Sequence, residues 1–270
     1  VSGLAAQLAA AGAIWRRDLR LFSGQRARFA TTVVTTAAAL ALFYYVSRLV
    51  RSNRVGTPDE YFAYVAVGLI LFGLVTATLA TPVATLRAEL QAATFERLAV
   101  SPFGPVASTA SLLLFPVTVA GAVGLLALAF AALAFGVDLR WSTAALAPPL
   151  ALLAALAFAP FGVAMAAAVV LFKQTNAGAT FAIAAMTLVA GVYFPVELLP
   201  AGLRWAANSQ PFTPAVELLR HVLVGTPLRE GPGWELLRLA GFALCGGPVA
   251  LGVLRAAVEA SLRRGTLTEY

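Results

Sequence analysis

A chain of 270 residues that is 60% hydrophobic and only 11% charged, with a mean hydropathy of +0.86, is not a soluble domain, since ordinary soluble chains carry about 25% charged residues. The formal charge of +7 suggests nucleic acid at first sight, but the arginines stand between apolar runs, where headgroup contact and the positive-inside rule account for them better. The single cysteine, Cys245, excludes an internal disulfide and a cysteine metal cluster, and the single histidine, His221, is read as an interface residue rather than a ligand or general base.

Continuous apolar runs, rather than period-two alternation, select helices, and the length suits an all-α membrane protein of six spans with short loops. In residues 1–28, Leu4, Leu8, Ala11, Trp15, Leu19 and Phe22 recur at helical spacing, and the charges from Arg16 to Arg20 fall mostly off that stripe. This predicts an amphipathic helix lying along the membrane surface. Residues 29–270 form the membrane domain, with spans expected at Phe29–Val46, Tyr61–Leu79, Val106–Phe135, Leu146–Phe172, Ala177–Phe194 and Trp234–Ala257. Eleven basic residues then fall on the N-terminal side of the membrane and eight on the other. The dense cluster before the first span favours that side as the cytoplasm.

Hydroxyls dominate the polar content of the spans. Thr32 and Thr36 share a helical face, as do Thr31 and Thr35. They either bond their own helix and its neighbours or line a pathway. Between the second and third spans, LRAELQAATFERLAVSPFGP is helical in composition up to Val100 and is stopped at Pro102. Beyond the fifth span, GVYFPVELLPAGLRWAANSQPFTPAVELLR carries prolines at 195, 200, 211 and 214. Proline starts short helices well and sits poorly inside them. Thr213 reads as an N-cap and Gly225 as the stop of a helix of ~11 residues, too short to cross ~30 Å of hydrocarbon. Two short helices dipping into one membrane face are predicted.

Chemistry of its own is hard to place. A P-loop needs G-x-x-x-x-G-K-[ST], and the one lysine, Lys173, has no glycine ahead of it at that spacing. Asp59 and Glu60 are adjacent beside Pro58 but lack the further acidic partners a magnesium site needs. No catalytic residue and no metal site are expected.

The two segments resemble the ABC-2 type permeases, the membrane subunits of a large group of ABC exporters. The first is similar to their coupling helix, roughly E-x-x-x-G-T-x-E-x-L-x-x-[ST]-P, with Glu89, Thr94, Glu96, Leu98, Ser101 and Pro102 at matching positions and Ala93 where glycine is commoner. The second resembles the re-entrant region between spans five and six, through Pro195, Leu199, Pro200, Arg204, Pro211, Thr213, Pro214, Glu217 and Arg220. The resemblance implies a coupling helix at about 86–101, with Phe95, Glu96, Arg97 and Leu98 in a groove of a separate ATPase. It also implies re-entrant helices within about 195–232. It further implies two copies of that ATPase, which carry the ATP and Mg²⁺, and a second permease as homodimer or heterodimer partner. No cofactor is expected in this chain. The location implied is the cell membrane, with both termini cytoplasmic, and the cargo an amphipathic, lipid-linked or drug-like molecule moved outward. Thr32 and Thr36 would border its path. Tyr44, Tyr193 and Phe194 would form a gate or an interfacial aromatic belt. A motor-independent channel or scaffold is the alternative.

Overall fold

A computed structural model describes residues 12–13, 15–17, 19–20, 26–49, 56–91, 114–172 and 176–263. Among them every regular element is helical: α1 (Arg26–Leu49), α2 (Pro58–Gln91), α3 (Leu114–Phe135), α4 (Trp141–Ala144), α5 (Ala147–Phe172), α6 (Asn176–Val189), a 3₁₀ turn (Val196–Leu198), α7 (Ala201–Asn208), α8 (Phe212–Val224) and α9 (Pro232–Arg263). Five stretches are long and apolar enough to cross a membrane, namely Phe29–Leu49, Pro58–Ala80, Phe115–Phe135, Ala147–Met165 and Pro232–Ala257. Described residues of the N-terminal stretch, including Trp15 to Arg17, are helical. The Trp15 indole N–H donates to Thr118 Oγ1 (3.3 Å), tying that stretch to the start of α3.

The centre of the bundle is α2. Its start is a capping box: the Thr57 N–H donates to Glu60 Oε2 (2.8 Å) and the Glu60 N–H to Thr57 Oγ1 (3.3 Å). The helix then runs unbroken for 34 residues, about 51 Å at the α-helical rise, which exceeds the hydrocarbon layer. Leu71 and Leu79 of α2 are buried with Phe158 of α5, Phe212 of α8 and Leu239 of α9 in the main core. Small residues set the closest approaches. A Cβ at Gly162 of α5 would run into the Thr78 carbonyl of α2, and one at Gly246 of α9 would lie 2.9 Å from Pro160 Cγ. The helix α5 continues through Pro160.

The expected fifth span is the main departure. Its helix, α6, has 14 residues, about 21 Å at the α-helical rise, and ends at Val189 rather than Phe194. The chain then turns at Gly191, whose φ of +76° belongs to the left-handed region that glycine enters without strain. Irregular backbone at membrane depth survives only where protein supplies its hydrogen bonds, and the next segment does so here.

A chain of contacts gathers the ends of several helices at one end of the bundle. Arg48 at the end of α1 pairs with Asp59 at the start of α2 (2.7 Å). The Arg140 N–H, beyond α3, donates to Leu223 O of α8 (2.8 Å). Arg238 of α9 donates to Asn208 O of α7. These are the connections expected on one side of the membrane.

Candidate functional site

Residues 190–230 pack α8 into the core and carry polar contacts around it, on short helices set by proline placement. Pro195, Pro200 and Pro211 stand at the N-cap positions of the 3₁₀ turn, α7 and α8. At each start the missing N–H costs nothing, because the first N–H groups of a helix lack partners. Thr213 is not the N-cap expected from sequence. Helix α8 begins two residues earlier, with Pro211 as N-cap and Phe212 as its first residue, and the Thr213 hydroxyl donates instead to Ala207 O (2.7 Å), joining α8 to the end of α7. Gly225 does stop α8, at φ +79°, with its N–H on Arg220 O (3.0 Å).

Ten of the thirteen residues of α8 are buried, including Arg220, which is only 2% exposed. A buried guanidinium is costly unless its fork is filled, and this one is. Its Nε donates to Tyr64 O of α2 (2.9 Å), Nη1 to Gly191 O (3.0 Å) and Nη2 to Val192 O (2.9 Å). The guanidinium also lies over the Tyr64 ring, 3.3 Å from its centroid, and the Tyr64 hydroxyl donates to Gly191 O (3.0 Å). Gly68, one turn further along α2, makes room: a Cβ there would lie 2.7 Å from Val192 O and 2.8 Å from Arg220 Nη2. Burial pushes the Arg220 pKa down to about 10, so the side chain stays cationic at neutral pH.

Other side chains complete the polar contacts. Gln210 Nε2 donates to Met186 O in the last turn of α6 (3.1 Å). Arg204 folds back, its Nε on Leu199 O (2.9 Å) and Nη2 on Glu197 O (2.8 Å). Arg229 bridges Glu197 (2.5 Å) and Glu217 (3.2 Å). Burial raises the Glu217 pKa, and Arg229 opposes that shift. His221 Nδ1 lies 2.9 Å from Thr226 O, anchoring the turn that follows. The carbonyls at the end of α8 are met from the α3–α5 connection, by the Arg140 N–H and the Thr143 hydroxyl (2.6 Å to Val222 O). These contacts hold backbone in place across α2, α6, α7 and α8.

The proposed pathway residues fall into separate places. The hydroxyls of Thr31, Thr35 and Thr36 donate to carbonyls one turn back in α1, Thr36 to that of Thr32 (2.8 Å). Tyr44 packs with Phe62 of α2 and Phe135 of α3, ring centroids 5.3 and 4.5 Å away. Tyr193 stacks on Phe43 (5.4 Å), and Phe194 packs beside Val196, Leu199 and Ala207. The structure thus distributes Tyr44, Tyr193 and Phe194 over three clusters. Glu89 lies on the continuation of α2, which takes in residues 86–91. Thr94, Phe95, Glu96, Arg97, Leu98, Ser101 and Pro102 lie outside the described residues.

Sequence reasoning singled out Arg220 as part of a proline-rich pattern but missed Tyr64, which it bonds and covers, Gly68, which makes room for it, and Gln210, which ties the next link to α6. The available signal was the spacing of Tyr64 and Gly68, which puts both on one face of α2.

A family model described as ABC-2 type transporter matches residues 10–224. That range includes the whole joint from Tyr64 to Arg220. No curated protein matches the chain.

Proposed function

Because this chain belongs to the ABC-2 type transporter family and is a membrane permease of an ABC transporter, we propose that it is the transmembrane subunit of an ATP-driven exporter. The family match across 215 positions (224 − 10 + 1) of an all-helical chain carries this reading. The family implies association with an ABC ATPase subunit. The 270 residues contain no P-loop, so hydrolysis falls to that partner, which binds the ATP and Mg²⁺.

In this reading α6 and the turn to Phe194 make the fifth of six spans, whose shortfall in length is covered by α7 and α8. The termini and the basic N-terminal stretch face the cytoplasm, and the layer at 190–230 faces outward. The end of α2 leads into the motor contact at Glu89, Thr94, Phe95, Glu96, Arg97, Leu98, Ser101 and Pro102. Two permeases and two ATPases form the pump, in which ATP shifts the population between inward- and outward-open states. An apolar bundle with hydroxyls and aromatics suits an amphipathic, lipid-linked or drug-like cargo. The channel or scaffold alternative has no comparable support.

The test is capture of the ATPase. Reversing both charges, Glu96→Arg with Arg97→Glu, should abolish co-purification of the ATPase while the permease still inserts. Undiminished capture and undiminished ATP-driven transport would sink the motor contact. No ATPase recovered with the wild-type permease would sink the exporter itself.

A further inference from the structure

The joint around Arg220 unites elements that are far apart in sequence. Its guanidinium belongs to α8, two of its acceptors to the turn after α6, and its third acceptor and aromatic lid to α2. A hydrophobic residue in this place would fill the volume and avoid desolvating a charge. It would not fix register. Three directional bonds do, because a planar fork matched to carbonyls 64, 191 and 192 tolerates little sliding or rotation. The Tyr64 hydroxyl closes the fourth side on the carbonyl that Nη1 already uses.

Tyr64 stands seven residues into α2, and α2 continues without a break to Gln91. Between them lie about 40 Å of helix at 1.5 Å per residue, enough to cross the hydrocarbon. Close-packed cores transmit displacement rather than absorb it, and α2 is buried among α5, α8 and α9. A movement applied at the far end of α2 therefore reaches the Tyr64 end, where Arg220 hands it to α8 and to the turn at Gly191–Val192.

We propose that Arg220 is a positioning residue for transport: it locks the re-entrant helices to the second span, so that displacement of α2 by the motor moves α7 and α8 with it. This rests on the permease reading above. Loss of the lock would leave ATP hydrolysis unable to move the outer layer, a loss of coupling rather than of assembly.

The experiment reports on α7 directly. Gly202 is exposed on that helix, and a Cβ there meets nothing within 4 Å, so Gly202→Cys in a Cys245→Ala background gives a tolerated thiol. The permease, reconstituted with its ATPase in nanodiscs, is reacted with an impermeant maleimide with and without ATP and vanadate. In the parent, trapping should change the labelling rate about fivefold or more, the low end of ordinary coupling factors. Adding Arg220→Lys, which keeps the charge but cannot reach three carbonyls at once, should bring the response below about twofold. Gly68→Ala supplies a second route, since its Cβ forces the same joint apart while keeping every polar group. It should blunt the response in the same direction. A full response in an assembled Arg220→Lys complex and in Gly68→Ala overturns the proposal. If Arg220→Lys does not assemble, Gly68→Ala decides alone, and failure of both to assemble makes the joint a folding element and also overturns it. A parent complex that binds its ATPase but labels identically in both states refutes transmission while leaving the permease reading intact. Absence of any ATPase refutes the reading itself.

Discussion

The first span and the layer at residues 190–230 handle polar groups in opposite ways. In α1 the hydroxyls of Thr31, Thr35 and Thr36 turn back to carbonyls of their own helix, and only 6% of the apolar window Phe29–Leu49 is buried. In and around that layer, Arg220, Gln210, Thr213 and Thr143 each reach a different element, and the α2 packed against it has 61% of its window buried. The same currency, a hydrogen bond to a backbone carbonyl, is local in one region and long-range in the other. A helix whose hydroxyls bond its own carbonyls keeps those bonds wherever it moves, and in α1 it is Arg48, paired with Asp59 of α2, that makes the cross-helix tie. A cross-linked layer moves as one piece or breaks.

Substitutions should separate the two regions by size of effect. The largest belongs to Arg220→Ala, which empties the volume of the largest fully buried side chain and leaves Val192 O without the donor that met it. Cavity and unmet carbonyl together cost about 5 kcal/mol, read as the largest drop in thermal midpoint of the assembled protein in detergent. Phe212→Ala comes next. Its ring is fully buried and meets Phe158 edge-on, centroids 5.6 Å apart, so truncation should cost about 3 to 4 kcal/mol, seen as a lower thermal midpoint with the monodisperse peak retained. Were either to behave like a surface change, the layer at residues 190–230 would be no more cross-linked than α1.

Glu217→Gln sharpens the comparison through pH. Burial raises the Glu217 pKa despite Arg229. A carboxyl whose folded pKa exceeds its unfolded one holds its proton more tightly when folded. Its contribution to stability is present below the unfolded value and is lost as pH rises through the raised folded value. At about pH 7 the glutamine variant should therefore be at least as stable as wild type, and the difference should move in favour of wild type as pH falls towards the ordinary carboxyl range near ~4.3. Thermal melts of both proteins across that range check the sign. A wild-type advantage that grows with rising pH would show Arg229 outweighing burial. The smallest effect is expected in α1: Thr31→Ala with Thr35→Ala, whose hydroxyls bond their own helix, should stay within about 0.5 kcal/mol of wild type. A larger loss would mean that these hydroxyls hold more than their own helix.

What could be read from residues alone follows the same division. Runs of apolar residues announced the four long spans from α1 to α5 and also α9, because lipid selects for them independently of any neighbour. The prolines at 195, 200 and 211 announced the short helices, because their backbone restriction is local. The early end of α6 was hidden. Ala177–Phe194 is apolar enough to read as a span, and donors from Arg220, Tyr64 and Gln210, supplied through tertiary folding, let the helix stop at Val189. Thr213 misled for a related reason. The local pattern suits a cap, but the carbonyl of Ala207 lies within reach and α8 begins two residues early. The pathway residues stayed beyond reach, since exposure in α1 does not say whether lipid, cargo or a second permease lies against it.

The central claim is that residues 195–232 form a fixed layer on the outer face, short of spanning. Ser209, exposed between α7 and α8, tests it most directly through Ser209→Cys in a Cys245→Ala background, with an impermeant maleimide applied to intact cells. Labelling from outside without permeabilisation is the expected result. Labelling that requires permeabilised cells would place this layer on the cytoplasmic side and reverse the topology.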